Sequence, residues 1–319
     1  MTPKAKATKR SPRRSPGRLL LAVDFSTPSK DALEAAAALA EDLGAGIVLL
    51  HVTPLKEDVR PKGGSKISRK TAGHVASDAA RLTTEWAEDL RKLGPSVDSI
   101  DEVGDPPSII LAKADELRCS IIVLASSGKG RLRSLLAGST TREVVRRSRL
   151  PVLVVPGRRP RRRRPEPSSK TLVVAADFST GSQAAFDAAL SLAKDLKAQV
   201  RVVHVIHLPM PIASFPYSDA AISADLLDRQ EDDAAVMLAK LAAKGRAKKV
   251  GVVPNVHIGD PASIILAEAR QVGAPLIVVG SHGQSTTHQF FLGSVAQAVV
   301  QMADRPVLVV PDPKGPEAG

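Results

Sequence analysis

The chain has 319 residues, 43% of them hydrophobic, with a formal net charge of +12 and a single cysteine, Cys119. That length suggests two domains of ordinary size, and the apolar fraction argues against a disordered or fibrous chain. One cysteine excludes an internal disulfide and paired-cysteine zinc sites. No apolar run approaches the ~18 residues of a membrane span, and the N-terminus lacks the apolar stretch of a secretory signal, so a reducing, cytoplasmic setting is expected.

The basic charge is concentrated at two places. Residues 1–18 carry seven Lys/Arg and no acid, and residues 157–170 carry seven with one acid, Glu166; the rest of the chain is close to neutral. Residues 1–17 are expected to form a disordered basic tail, 157–169 an Arg/Pro-rich linker and 312–319 a short C-terminal tail, flanking folded units at 18–156 and 170–311. Solvated segments of no further consequence are one reading of the basic stretches. A tether to nucleic acid or an anionic membrane, steeply salt-dependent, is the other. Eight aromatic residues in the whole chain are too few for a base-stacking platform.

The two folded units are copies of one another. Leu20–Ser26 (LLAVDFS) returns as Val173–Ser179 (VVAADFS), and Leu50-His51-Val52 returns as Val203-His204-Val205. Gly104–Ala112 (GDPPSIILA) returns as Gly259–Ala267 (GDPASIILA), and Pro151–Pro156 returns as Pro306–Pro311. A unit of about 140 residues is large enough for its own core. In the second copy the pattern predicts a strand at Leu172–Ala176, a helix at Ser182–Leu196, a strand at Val200–Val205 and a long helix at Ala220–Lys244. A strand at Val250–Val256, a helix opened by Pro261 and a strand at Leu276–Val279 come next, then a helix at Gly293–Met302 and a strand at Val307–Val310. Strands alternating with helices imply a parallel sheet with helices on both faces and ligands bound at its C-terminal edge.

The fourth strand runs into Gly280-Ser281-His282-Gly283, then nine residues, then Gly293-Ser294-Val295 at a helix start. Glycines let amides approach an anion, and the helix N-terminus adds unfilled donors and partial positive charge, an arrangement suited to a polyphosphate. Strand and helix caps are the plainer reading of the same glycines.

This G-x2-G-x9-G-[ST] spacing resembles the nucleotide motif of the universal stress protein family. The resemblance extends to the Asp-x-Ser of strand one, the His-Val after strand two, the Gly-Asp-Pro before helix three and the terminal Pro-Val-Leu-Val-Val, over both copies. It implies an α/β fold: two tandem flavodoxin/Rossmann-like domains, each a five-stranded parallel sheet of order 3-2-1-4-5 with helices on both faces. It also implies a cytoplasmic stress-response regulatory protein that binds ATP, or ATP with Mg2+, and has a regulatory protein as partner. Carried over, the nucleotide contacts are Asp177, Val205, Gly280, Gly283, Gly293, Ser294 and Val295 in the second copy. In the first copy they are Asp24, Val52, Gly128, Gly138, Ser139 and Thr140. The second copy is favoured, because Ala125 in the first stands where the second has Gly280. Its methyl either has room or collides with the ligand, and Lys129, Arg131 and Arg133 in the loop add offsetting positive charge. A protein-interaction scaffold with degenerate sites is the alternative.

Other residues carry plainer readings. Asp24 and Asp177 fit a turn or helix cap as well as a hydroxyl acceptor. His51 and His204 read as packing residues, His282 and His288 as phosphate contacts or inert surface histidines, and Cys119 as a small core residue. The loop Leu208–Tyr217, with Met210, Phe215 and Tyr217, either covers an adenine or packs, while Lys56–Thr71 is its basic counterpart. No Walker loop, dinucleotide fingerprint, nucleophile elbow or zincin motif is present, so turnover beyond slow ATP hydrolysis has no support. The apolar final strands, Val152–Val155 and Val307–Val310, are expected to pair antiparallel as an intrachain pseudo-dimer.

Overall fold

The computed structural model describes residues 17–54, 69–126, 138–157, 170–207, 219–283 and 292–313; the side chains of 69–77 and 219–226 are not described. The tail before 17, linker residues 158–169 and the loops 55–68, 127–137, 208–218 and 284–291 lie outside these residues. So do Gly128, Lys129, Arg131, Arg133, Met210, Phe215, Tyr217 and His288.

The first copy runs β1 (Arg18–Val23), α1 (Thr27–Leu43), β2 (Gly46–Pro54), α2 (Arg69–Lys92), β3 (Val97–Gly104), α3 (Pro106–Glu116), β4 (Ile121–Ala125), α4 (Ser139–Arg147) and β5 (Val152–Val155). The second repeats it as β6 (Thr171–Ala175), α5 (Thr180–Asp195), β7 (Gln199–Ile206), α6 (Asp219–Ala247), β8 (Val252–Ile258), α7 (Pro261–Gln271), β9 (Ile277–Gly280), α8 (Ser294–Met302) and β10 (Val307–Val310). Boundaries lie within a few residues of the pattern-based ones. Val250, expected in a strand, instead closes α6: its amide donates to the Gly245 carbonyl and Lys249 takes a left-handed conformation at φ 61°. His51 and Val52 lie within β2 rather than after it.

All ten strands form one sheet in the order β3-β2-β1-β4-β5-β10-β9-β6-β7-β8. Each copy therefore has the 3-2-1-4-5 order, parallel throughout. The copies join where β5 and β10 pair antiparallel, Leu153 opposite Leu308 and flanked by the Val154–Val307 and Val152–Val309 pairs. Leu153 and Leu308 hold equivalent places in the two copies, so a pseudo-twofold axis passes between them. The strands of both are at most 5% exposed, and neither short apolar strand is left as an edge. Alternation along these strands feeds two continuous core layers. Leu153, Val155, Leu308 and Val310 join the layer under α1, α2, α5 and α6, while Val152, Val154, Val307 and Val309 join the layer under the other helices.

Helix starts carry the local chemistry that positions the site. Ser26 and Ser179 cap α1 and α5 by accepting from the amides of Ser29 and Ser182. Asp105 and Asp260 cap α3 and α7, with Pro106 and Pro261 at the first helical turn where no donor is needed. By contrast α4 and α8 begin at Gly138 and Gly293 without any side-chain cap.

Candidate functional site

A cleft opens at the C-terminal edge of the second copy's strands, where the order reverses between β6 and β9. It encloses about 670 Å3 of space, part of it open to solvent. The floor is apolar: Ala175, Val203, Val205 and Val279 from the strands and Ile265 from α7. The rim is polar: Asp177, Ser182, His282, Gly283 and Ser294. All seven residues that the sequence singles out in this copy, Asp177, Val205, Gly280, Gly283, Gly293, Ser294 and Val295, line this one cleft.

The loop after β9 is held in place by backbone bonds. The Ser281 amide donates to the Val310 carbonyl, and the Gly293 amide donates to the Ser281 carbonyl, 2.8 Å each, so the far end of the long loop returns to its start. The amides of Ser294, Val295 and Ala296 open α8 with neither an intrahelical acceptor nor a side-chain cap. They form a patch of donors with partial positive charge at the cleft rim.

Two glycines are required by close approach, for different reasons. A Cβ on Gly280 would lie 2.7–2.8 Å from the carbonyl carbon and oxygen of Gly181 at the start of α5. A Cβ on Gly283 would lie 2.5 Å from Oδ2 of Asp177. Gly280 is thus a packing residue against α5 that also borders the cleft, and Gly283 sets the loop against the carboxylate.

Asp177 closes a turn, the plainer of the two readings made for it, and also lines the cleft. Its Oδ1 accepts from the Ser179 amide at 3.0 Å and the Ser179 hydroxyl at 2.6 Å, closing a turn, while Oδ2 lies directly against Gly283. The next residue, Phe178, sits at φ 64°, as Phe25 does at 59° in the first copy. A left-handed bulky residue costs on the order of 1–3 kcal/mol. Each ring stacks on the histidine of the neighbouring strand, Phe178 on His204 and Phe25 on His51, with centroids 4.5 Å apart. His204 Nδ1 bonds the Ala176 carbonyl at 2.7 Å, and His51 Nδ1 bonds Asp101, which also accepts from Thr83. Both histidines are therefore structural, and neither lines the cleft. Cys119 is buried, and burial pushes its thiol upward, as suits a core residue.

In the first copy, Asp24 Oδ1 accepts from the Ser26 amide at 3.1 Å and the Ser29 hydroxyl at 2.6 Å. Val52 lies buried in β2, and Ser139 and Thr140 open α4 behind Gly138. The loop is anchored as in the second copy: Ser126 donates to Val155 at 2.8 Å and Gly138 to Ser126 at 2.7 Å. Ala125 does not point its methyl at the ligand edge. It belongs to the core layer under α1, the opposite face of the sheet from α3 and α4. The methyl therefore packs against α1 and not on the sheet face that carries α3 and α4.

Ser182, Pro261, Ile265, Val203 and Val279 border the cleft without having been singled out in the sequence. The strand residues among them had a signal, since each sits in register with Ala175 or Val205 on one face of alternating strands. Among the described residues, no group of three or more His, Cys, Asp or Glu is placed to hold a metal ion, and no helix is long and apolar enough to cross a membrane.

The fold and cleft define a tandem α/β protein of the doubly wound class, with its ligand edge at the strand-order switch. The chain belongs to the universal stress protein family, whose family model matches residues 16–156 and 168–311. A universal stress protein of Mycolicibacterium smegmatis is 28% identical over 302 residues, 92% of this chain and 96% of that one. Universal stress protein YxiE of Bacillus subtilis is 32% identical over 143 residues, 44% of this chain and 97% of its own length. The solved structure of a universal stress protein from Archaeoglobus fulgidus shares the fold at a TM-score of 0.68 and 23% identity, over 93% of this chain and 96% of that one.

Proposed function

We propose that this chain is a cytoplasmic stress-response regulatory protein that binds an adenine nucleotide, ATP, in the second copy's cleft. The observation that carries the reading is that all seven residues matching the family's nucleotide contacts line one cleft, whose rim holds uncapped helix amides. In this reading the amides of α8 and the Ser294 hydroxyl meet the phosphates. The apolar floor of Val203, Val205 and Ile265 takes the base, and Asp177 accepts from the ribose hydroxyls. Occupancy of the cleft then alters which regulatory protein the chain engages.

No Lys or Arg is among the described residues lining the cleft, and Asp177 is its one carboxylate. The described lining therefore offers no donor set for a resident metal, and in this reading Mg2+ enters with the nucleotide, coordinated chiefly by the phosphates. The first copy keeps the same anchoring of its loop, which supports a second site there, formed by Asp24, Val52, Gly128, Gly138, Ser139 and Thr140. Calorimetric titration of nucleotide-free protein with ATP and Mg2+ tests the reading, with binding at or below millimolar concentration expected. A correctly folded protein that takes up no heat at millimolar ATP removes it.

A further inference from the structure

The near-neutral sum of charge over the two folded copies conceals a local excess on α4. This helix and the turn after it carry Arg142, Arg146, Arg147 and Arg149 against one acid, Glu143. The helix buries Thr141, Val144 and Val145, so the arginines stand on its outward side. Glu143 is engaged by Arg146 and Arg147, and Arg147 also lies 3.4 Å from the Ser108 hydroxyl of α3. Arg142 and Arg149 are exposed and form no ion pair with any described residue.

The equivalent helix shows that the fold does not require these charges. In α8 the corresponding residues are Gln297, Gln301, Met302 and Asp304, so the matching face carries no Lys or Arg. Basic residues in a last turn complement the helix dipole, which is the plainer account of Arg146 and Arg147. Yet α8 ends by the same bond without them: the Ala303 amide donates to the Val299 carbonyl at 2.9 Å, as the Ser148 amide does to Val144 at 2.8 Å. Arg142 has the opposite placing. Its amide closes the first turn by donating to the Gly138 carbonyl at 3.0 Å, at the helix end where a cation is disfavoured. Neither capping nor the dipole accounts for it.

We propose that the outward face of α4 is an electrostatic docking surface for the phosphate backbone of duplex DNA, with Arg142 and Arg149 as its free contacts. Guanidinium forks match pairs of phosphate oxygens, and all four cations are arginines. No aromatic residue lies on α4 to stack on an unpaired base, which favours a duplex over a single strand. The apolar side of the helix is occupied by the core, which leaves no face to enter a lipid interface and disfavours a membrane. Contacts to phosphate alone carry no base-sequence preference. This surface does not depend on the nucleotide reading of the second copy's cleft.

The test titrates a labelled DNA duplex, and separately phosphatidylserine vesicles, with the full chain and its Arg142→Gln/Arg149→Gln variant over a range of salt concentrations. Glutamine is what α8 has in place of Arg142, and neither substitution breaks an ion pair among the described residues, so the variant should keep the parent's unfolding temperature. It should bind duplex roughly tenfold more weakly at low salt, by the same factor for unrelated base sequences. The slope of log affinity against log salt should become shallower by about 0.9 for each arginine removed. Arg142→Lys/Arg149→Lys, which keeps the charge, should keep the slope while losing part of the affinity. Unchanged affinity and slope in the glutamine variant would place the DNA on the basic tail or linker and overturn the role of α4. Absence of duplex binding by the unaltered chain at low salt, or a loss seen with vesicles and not with DNA, would overturn it as well. Each of these results leaves the nucleotide reading standing.

Discussion

At the start of α1 stands Pro28, and across from it at the end of β4 stands Ala125; the second copy has Gly181 and Gly280 at those places. A third position comes just after the last strand of each copy, Gly157 in the first and Asp312 in the second. In the first copy the bulk sits in the helix and the strand: a Cβ on Gly157 would come within 3.1 Å of the Pro28 ring. In the second, the backbone of Gly181 closes directly on Gly280, and Asp312 fills the outer place, accepting from the Thr180 hydroxyl at 2.8 Å. Loss of the first motif glycine in the N-terminal copy is thus one member of a set of three exchanges in packing against the first helix. It carries no direct information about ligand space. The same lesson recurs between the third helix of each copy and the strands beneath it. Lys113 pairs with Glu102 at 3.0 Å in the first copy, whereas Glu268 takes Arg201 and His257 in the second, with the charge at the helix position reversed. The two halves keep the contact and change the sign.

The broadest test of this comparison addresses what the halves share. Leu153 and Leu308 face each other at the junction, buried in one core layer that runs through both copies. Leu308→Ala should cost about 2–5 kcal/mol, and Leu153→Ala a similar amount, in one calorimetric unfolding transition. Two resolved transitions, with only the mutated half shifted, would mean that the copies fold as independent units. Next in size is Gly280→Ala, which forces a methyl against the α5 backbone and should destabilise by about 1–3 kcal/mol in chemical denaturation. If Gly280→Ala leaves stability unchanged but abolishes ATP binding, the glycine serves the ligand and the packing explanation is wrong.

A smaller and symmetric effect is expected from the caps of α3 and α7. Asp105 and Asp260 are held below the ordinary carboxylate range, chiefly by hydrogen bonds from Ser108 and Ser263. A carboxylate whose folded value is depressed contributes stability that is present above the unfolded value and lost as pH falls through the folded one. Both helices should therefore loosen in acid, below about pH 4. Amide exchange should show Asp105→Asn and Asp260→Asn flattening that dependence equally in the two copies. A response in only one copy would show that the equivalence of these caps ends at their geometry.

Much of this was legible in the chain itself. The offset of 153–155 residues between matching motifs revealed the duplication, and strand–helix alternation with a glycine loop after the fourth strand located the cleft edge. The apolar final strands indicated their own pairing, because a short VLVV edge has no charge or proline within it to protect it. What the sequence did not disclose depends on contacts between distant segments or on backbone conformation. Phe25 and Phe178 have no residue signal for a positive φ, which only glycine or asparagine would have suggested. The anchoring of the Ser281 hydroxyl depends on the Asp312 amide, thirty-one residues on and brought in by β10. The direction of the Ala125 methyl comes from strand register, which a single substitution in a motif does not reveal.

That methyl supplies the most discriminating of the small effects. Because Ala125 packs in the layer under α1, Ala125→Gly removes a buried methyl from the core and adds backbone freedom to a strand. The expected cost is about 0.5–1 kcal/mol of stability, with ATP affinity at the first copy changed by no more than about twofold. The readout has to be assigned to that copy, so the substitution is best made with the second site disabled by Gly283→Val, whose side chain would run into Asp177. If affinity instead rises tenfold or more, the methyl was obstructing the nucleotide. The two copies would then differ in ligand space and not only in how their first helix is packed.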